Sequence, residues 1–148
     1  MGYFNEDDVK SRQLILDHYE NPDYKISKEE REKLTSDYIS FNNKSVSCID
    51  NLTVYLKIEN DIVTDVKFDG IGCAISTAST DILSKMAIGK KRAEVNRIIN
   101  EYFKMIEGEK FDEDILEYLS IFKGISKQLN RIKCAKVGVV AIKELVAK

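Results

Sequence analysis

Residues 52–59, LTVYLKIE, alternate between apolar and polar without a break. Leu52, Val54, Leu56 and Ile58 fall on one side of an extended chain, and Thr53, Tyr55, Lys57 and Glu59 on the other. A period of two over this length specifies a half-buried strand and is incompatible with a helical stripe. A short polar link over 59–61 leads into IVTDVKFDG, where Val66 and Phe68 alternate with Asp65, Lys67 and Asp69. Two such strands with so short a connection form an antiparallel hairpin. The rest of the chain must therefore supply a layer that covers one apolar sheet face.

From about Ile75 the period changes. ISTASTDILSKMAIGK carries Ile75, Ala78, Ile82 and Met86 at helical spacing, and Gly89 ends it. AEVNRIINEYFKMIEG is amphipathic, with Val95, Ile98, Ile99, Tyr102, Phe103 and Ile106 inward and Gly108 as a natural stop. DEDILEYLSIF predicts a shorter helix with Ile115, Leu119 and Phe122 inward. AKVGVVAIKELVA predicts a closing helix with Val137, Val140, Ala141 and Leu145 on one face.

Ahead of the hairpin, residues 7–20 read as a helix with Val9, Gln13, Leu16 and Tyr19 on its inner stripe and Ile15 beside it. Asn21 and Pro22 stop it, because the residue before proline avoids the α region. Residues 23–44 are polar and weakly periodic; SKEEREKL suggests one or two helical turns and DYISF a short strand. The fold class that follows is α+β, a small antiparallel sheet of about three strands packed against several helices. At 148 residues, with no linker or repeat, one domain over 1–148 is expected.

The net charge is −2, with acids and bases interspersed, so nucleic acid is not an expected partner. No apolar run approaches the roughly 18 residues of a membrane helix. MGYFNEDDVK is acidic and polar, unlike a signal peptide. The expected compartment is the cytoplasm, where thiols stay reduced.

The three cysteines then need an account. Cys48 precedes the hairpin in SVSCIDN, Cys73 follows it in GIGCAIS, and Cys134 falls before the expected last helix in NRIKCAK. The plain alternative is three unrelated buried thiols. Their places at element boundaries point instead to ligands or nucleophiles on positioned loops. Cys48 and Cys73 flank an up-and-down pair of strands, so the chain returns them to one sheet edge. Cys73 and Cys134 are each expected at or just ahead of a helix N-terminus, where the dipole and free amides favour a thiolate. Arg131 and Lys133 add positive charge beside Cys134, and Asp50 follows Cys48 by two residues. Three thiolates and a carboxylate suit a tetrahedral Zn²⁺ site, although the spacing is not that of a zinc finger. The one histidine, His18, lies inside the first helix and is expected to be structural or exposed rather than a ligand.

Four stretches carry a family resemblance. LILDHYENP at 14–22, SCID at 47–50, VKFDGIGCAISTAST at 66–80 and RIKCA at 131–135 resemble, in order, the motifs of the SufU/IscU family, the NifU N-domain-like proteins of iron–sulfur cluster assembly. The resemblance implies a SufE/NifU-like fold. Lys133 stands where the IscU scaffolds carry a histidine, and EGEKFDEDILEYLSIFKGIS resembles an insertion typical of SufU. For the SufU subgroup, the resemblance implies a zinc site made by Cys48, Asp50, Cys73 and Cys134. It implies that Cys48 accepts persulfide sulfur from a SufS-type cysteine desulfurase, with Arg131 supporting that interface and downstream iron–sulfur assembly proteins as later partners. The alternative is an IscU-like scaffold that assembles and transfers a labile [2Fe–2S] cluster, for which an aspartate ligand would suit release. One departure is Ile49, which replaces the usual glycine between Cys48 and Asp50. A β-branched residue disfavours positive φ, so this loop is expected to bend in its own way.

Overall fold

The computed structural model describes residues 6–45 and 49–147. In chain order these are α1 (Glu6–Glu20), α2 (Lys28–Glu32), β1 (Ile39–Lys44), β2 (Asn51–Glu59), β3 (Ile62–Ile71), α3 (Ala74–Ala87), α4 (Arg92–Ile106) and α5 (Glu113–Leu116). A 3-10 segment (Glu117–Lys127) and α6 (Leu129–Val146) follow. The sheet has the order β1-β2-β3 and both pairings are antiparallel. This is the expected α+β arrangement.

The hairpin turns on Asn60 and Asp61, with φ of 52° and 67°. Two consecutive positive φ values give the primed turn whose twist suits a hairpin, and Asn and Asp tolerate that region. Register places Val54 opposite Phe68 and Leu56 opposite Val66. Leu52, Val54, Leu56, Val63, Val66 and Phe68 are all fully buried. Ile58 is only half-buried, because the register slips between Lys57 and Ile58 and breaks the alternation there.

Segment 23–44 has a defined role. Tyr24–Ile26 runs along β3: Phe68 N–H donates to Tyr24 O at 3.0 Å, and Ile26 N–H donates to Phe68 O at 2.8 Å. The segment thus occupies part of an edge that would otherwise present free backbone groups. Ser27 and Glu30 form a reciprocal capping box that starts α2. Arg31, from α2, reaches Asp69 at 3.0 Å.

α3 is the central helix. All but three of its residues are buried, including Ser76, Thr77, Ser79, Thr80 and Ser84. Burying hydroxyls is tolerated because Ser79, Thr80 and Ser84 donate back to carbonyls three or four residues earlier. Small side chains also let α6 approach closely: a Cβ on Gly138 would lie 1.7 Å from Thr80 Oγ1. α4 covers the assembly with Val95, Ile98, Ile99, Tyr102 and Ile106, as its pattern predicts; Met105 is buried and Phe103 half-buried.

Three expectations are corrected. α1 is turned differently: Val9, Leu16 and Tyr19 are 52%, 45% and 43% exposed, while Ser11, Ile15 and His18 face inward. His18 Nδ1 lies 2.7 Å from Oδ2 of the fully buried Asp81, and this pair helps set the rotation. The expected helix over 112–122 is one α turn followed by the 3-10 segment. Leu116, Leu119, Phe122 and Ile125 are buried at every third residue, which is the period of a 3-10 helix. Finally, α6 begins at Leu129, before Cys134 rather than after it.

Candidate metal centre

The ends of β2 and β3 build the first half of the site. Asn51 pairs with Ile71, so Asp50 and Cys73 emerge side by side from the same edge. Gly70 has φ of +119°, and a Cβ there would stand 2.2 Å from Asn51 O. Only glycine allows β3 to leave β2 on this path. Gly72 is required for space instead: its Cβ would meet Ser76 Oγ at 2.5 Å and Thr77 Oγ1 at 3.0 Å. The two glycines thereby deliver Cys73 to the N-cap of α3.

At that cap the sulfur takes the place of a capping oxygen. Ser76 N–H donates to Cys73 Sγ at 3.5 Å. That contact fixes the sulfur at the start of a buried helix. Asp50 is fully buried, and its Oδ1 accepts the Cys73 N–H at 2.8 Å, while Oδ2 lies 3.8 Å from Cys73 Sγ. The backbone of Asp50 is tied as well, accepting from Ser45 N–H at 2.9 Å. Ile49 itself is 78% exposed, while Asp50 next to it is fully buried.

α6 supplies the third group. Cys134 is 5% exposed and lies in the second turn of that helix. The expected help from a helix N-terminus therefore does not apply to it, because the dipole effect fades beyond the first turn. What holds it is packing. Tyr102 O–H donates to Ala135 O at 2.9 Å, and burial pushes that phenol's pKa up, so it remains a neutral donor. Asn43 Nδ2 donates to Val137 O at 2.9 Å, joining β1 to the next turn of α6.

Together these elements bring one ligand atom each of Asp50, Cys73 and Cys134 within 4.8 Å of one another. Donor atoms around a tetrahedral zinc lie roughly 3.5–4 Å apart, so the cluster needs only a small contraction to fit. A buried carboxylate facing two sulfurs is also a donor set that suits a divalent cation. Of the other expected site residues, Cys48 lies outside the described residues. Arg131 is exposed on α6, one turn before Cys134, and Lys133 is exposed beside it.

Two features escaped the sequence reading. Thr77 Oγ1, one turn along α3 from Cys73, is buried with no hydrogen-bond partner among the described residues. Asp81 accepts from Tyr24 N–H at 2.8 Å as well as meeting His18, and so anchors α1 and the following loop on α3. The only available signal for the second was a lone aspartate within the small-residue run STASTDIL.

A three-stranded antiparallel sheet that presents a carboxylate and two cysteines against a buried helix defines a class of thiol-bearing α+β proteins. Residues 10–135 match the family model described as NifU-like N terminal domain, and the chain belongs to that family of iron–sulfur cluster assembly proteins. It is 37% identical over 126 residues to the iron–sulfur cluster assembly scaffold protein IscU of Thermotoga maritima, covering 85% of this chain and 89% of that protein. It is 33% identical over 142 residues to the zinc-dependent sulfurtransferase SufU of Bacillus subtilis, covering 95% and 92%. The crystal structure titled as a putative scaffold protein for the SUF system from Fervidobacterium islandicum superposes with a TM-score of 0.79 at 29% identity, over 92% of this chain and 95% of that one. The N-terminal NifU-like protein of Brucella abortus shares the fold, with a TM-score of 0.81 at 20% identity, over 95% and 94%.

Proposed function

We propose that this chain is a zinc-dependent sulfurtransferase of iron–sulfur cluster biogenesis that takes persulfide sulfur from a SufS-type cysteine desulfurase in the cytoplasm. The observation that carries the reading is the convergence of Asp50, Cys73 and Cys134. Lys133 ahead of Cys134, the extra segment that forms α5 and the 3-10 helix, and the likeness to the Bacillus protein over 95% of the chain support the choice of subgroup. No helix among the described residues is long and apolar enough to cross a membrane.

In this reading Cys48, Asp50, Cys73 and Cys134 hold the metal. Zinc, when bound, supplies a redox-inert charge that keeps the thiols deprotonated. The chain's own residues do the rest. Asp50 keeps Oδ1 on the Cys73 amide, which leaves Oδ2, beside the Cys73 sulfur, as the oxygen that would serve as a ligand. The Cys48 thiolate attacks the outer sulfur of the desulfurase's cysteine persulfide. A new sulfur–sulfur bond forms on Cys48, the donor's sulfur–sulfur bond breaks, and the donor cysteine leaves as a thiolate. Arg131, exposed one turn from Cys134, faces the incoming enzyme and stabilises negative charge there. Downstream iron–sulfur assembly proteins then receive the sulfur.

The test is desulfurase turnover with and without the zinc-loaded protein, comparing wild type with Cys48→Ala. Strong stimulation that the substitution abolishes supports sulfur acceptance. No stimulation by the metallated wild type sinks it. A second reading, a scaffold for a labile [2Fe–2S] cluster, is favoured by the name of the Thermotoga relative. It predicts stable visible absorption after anaerobic reconstitution with iron and sulfide.

A further inference from the structure

The 3-10 segment runs for 11 residues, Glu117–Lys127, although such helices seldom exceed about three or four. Its junction with α5 falls on Glu117, a non-glycine residue with φ of 48°. A side chain is strained at that angle, and the surrounding structure must impose it. The same stretch also carries a second period. Ile115, Tyr118, Leu119, Phe122 and Ile125 stand at i, i+3, i+4, i+7 and i+10, the stripe of an α-helix. Leu119, Phe122 and Ile125 are buried as they stand, whereas Leu116 fills the fourth inward place and Tyr118 is 63% exposed. Three buried residues therefore serve either helix, and Leu116 and Tyr118 are the pair that would trade places.

Conversion to an α-helix changes the length of the segment. A 3-10 helix rises about 2.0 Å per residue and an α-helix about 1.5 Å, so 11 residues would shorten by about 5.5 Å. α6 can return that length. Its cap, Gln128, makes no side-chain capping bond among the described residues, and residues 127–131 are exposed. A residue drawn from helix into extended chain gains about 1.8 Å, so unwinding Leu129, Asn130 and Arg131 offsets the difference. Backbone groups freed there meet water rather than the core. Cys134 would then stand in the first turn of α6 instead of the second, and helix ends fray. We propose that α5 and the 3-10 segment form a two-state strap whose α-helical form unwinds the start of α6 and loosens Cys134. In the described state the strap is 3-10 and Cys134 is held, 5% exposed, beside Asp50 and Cys73. In the other state the strap is one α-helix, Tyr118 is covered, and Cys134 sits at the frayed start of α6. A metal favours the first state, because only there are the three ligand atoms fixed within 4.8 Å of one another. That coupling rests on the zinc reading above; the two states of the strap do not.

The experiment uses metal-free full-length chains carrying Tyr118→Trp, which gives a sequence without tryptophan a single reporter, with and without Glu117→Gly. Glycine accepts φ of 48° without strain and is a poor α-helix former, so it favours the described state on both counts. It is expected to shift the emission to the red, as the indole returns to water. It is also expected to slow alkylation of Cys134 by iodoacetamide about threefold or more, read from peptide masses, because a buried thiol reacts only through local opening. Alkylation of Cys73, on another helix, is expected to stay the same. Tyr118→Ser removes a side chain that only the α form buries, so it should slow Cys134 in the same way. Its position is exposed, and the fold should be kept. Adding zinc is expected to shift the emission of the Glu117 chain to the red and to leave the Glu117→Gly chain unchanged. Equal emission and equal Cys134 alkylation in the two metal-free chains overturn the proposal. So does a lower thermal midpoint for Glu117→Gly, which would show that Glu117 is not strained. A missing zinc effect with metal content confirmed overturns the coupling. A chain that retains no zinc defeats the zinc reading instead, and the metal-free comparison still decides the strap.

Discussion

Asp50 does two jobs that a substitution can separate. Its Oδ1 satisfies the Cys73 amide at the helix start, and Oδ2 is the oxygen turned toward sulfur. Asp50→Ala leaves a buried N–H without an acceptor, which costs about 1–3 kcal/mol even without metal. Asp50→Asn keeps an oxygen for that amide but removes the charge. It is expected to preserve the stability of the metal-free protein while weakening zinc retention. Denaturant unfolding of the chelated proteins, beside metal content after dialysis, checks both outcomes; equal unfolding for Asp50→Ala and wild type would contradict the first. Thr77 gives the opposite case. Its hydroxyl is buried without a partner among the described residues, so Thr77→Val should leave stability unchanged or raise it by up to about 1 kcal/mol. A clear loss in the same unfolding assay would show that the hydroxyl is satisfied after all.

The element scale shows why some structure was legible in the sequence and some was not. The hairpin was plain because period-2 alternation has no competing reading, and GIGC placed Cys73 at a helix start. The 3-10 segment was misread because Ile115, Leu119 and Phe122 also fit an α stripe; the missing clue was Leu116 and Ile125 completing a spacing of three. α6 starts ahead of the apolar pattern that announces it, at Leu129, because nothing in LNRIKC stops a helix. α1 was rotated wrongly because its inner face is chosen by His18 and Asp81, 63 residues apart, rather than by its own apolar residues. Packing between α3 and α6 yields a sharp prediction. Gly138→Ala forces a methyl against Thr80 Oγ1 and should cost at least about 1–3 kcal/mol. Gly124→Ala, with nothing among the described residues within 4 Å of its Cβ, is the matched control and should unfold close to wild type.

At the scale of the molecule, the three described site residues arrive from separate elements: Asp50 at the entry to β2, Cys73 at the cap of α3 and Cys134 within α6. Their chemical types were readable from sequence, but Cys134's support was not, since Tyr102 and Asn43 reach α6 only through tertiary packing. A metal bridging these elements should tie the sheet to both helices. Chelation is therefore expected to lower the thermal midpoint reversibly, and readdition of zinc to restore it, because a ligand that binds only the folded state stabilises it by mass action. An unchanged midpoint would mean that the cluster contributes no linkage.

The central claim is that Asp50, Cys73 and Cys134 act with Cys48 as one ligand set, and zinc-edge X-ray absorption of the purified protein tests it most directly. The account predicts one tightly held zinc with three sulfurs at about 2.3 Å and one oxygen at about 2.0–2.2 Å, and loss of that oxygen in Asp50→Ala. A zinc shell with fewer sulfurs, or one unchanged by the Asp50 substitution, would contradict it.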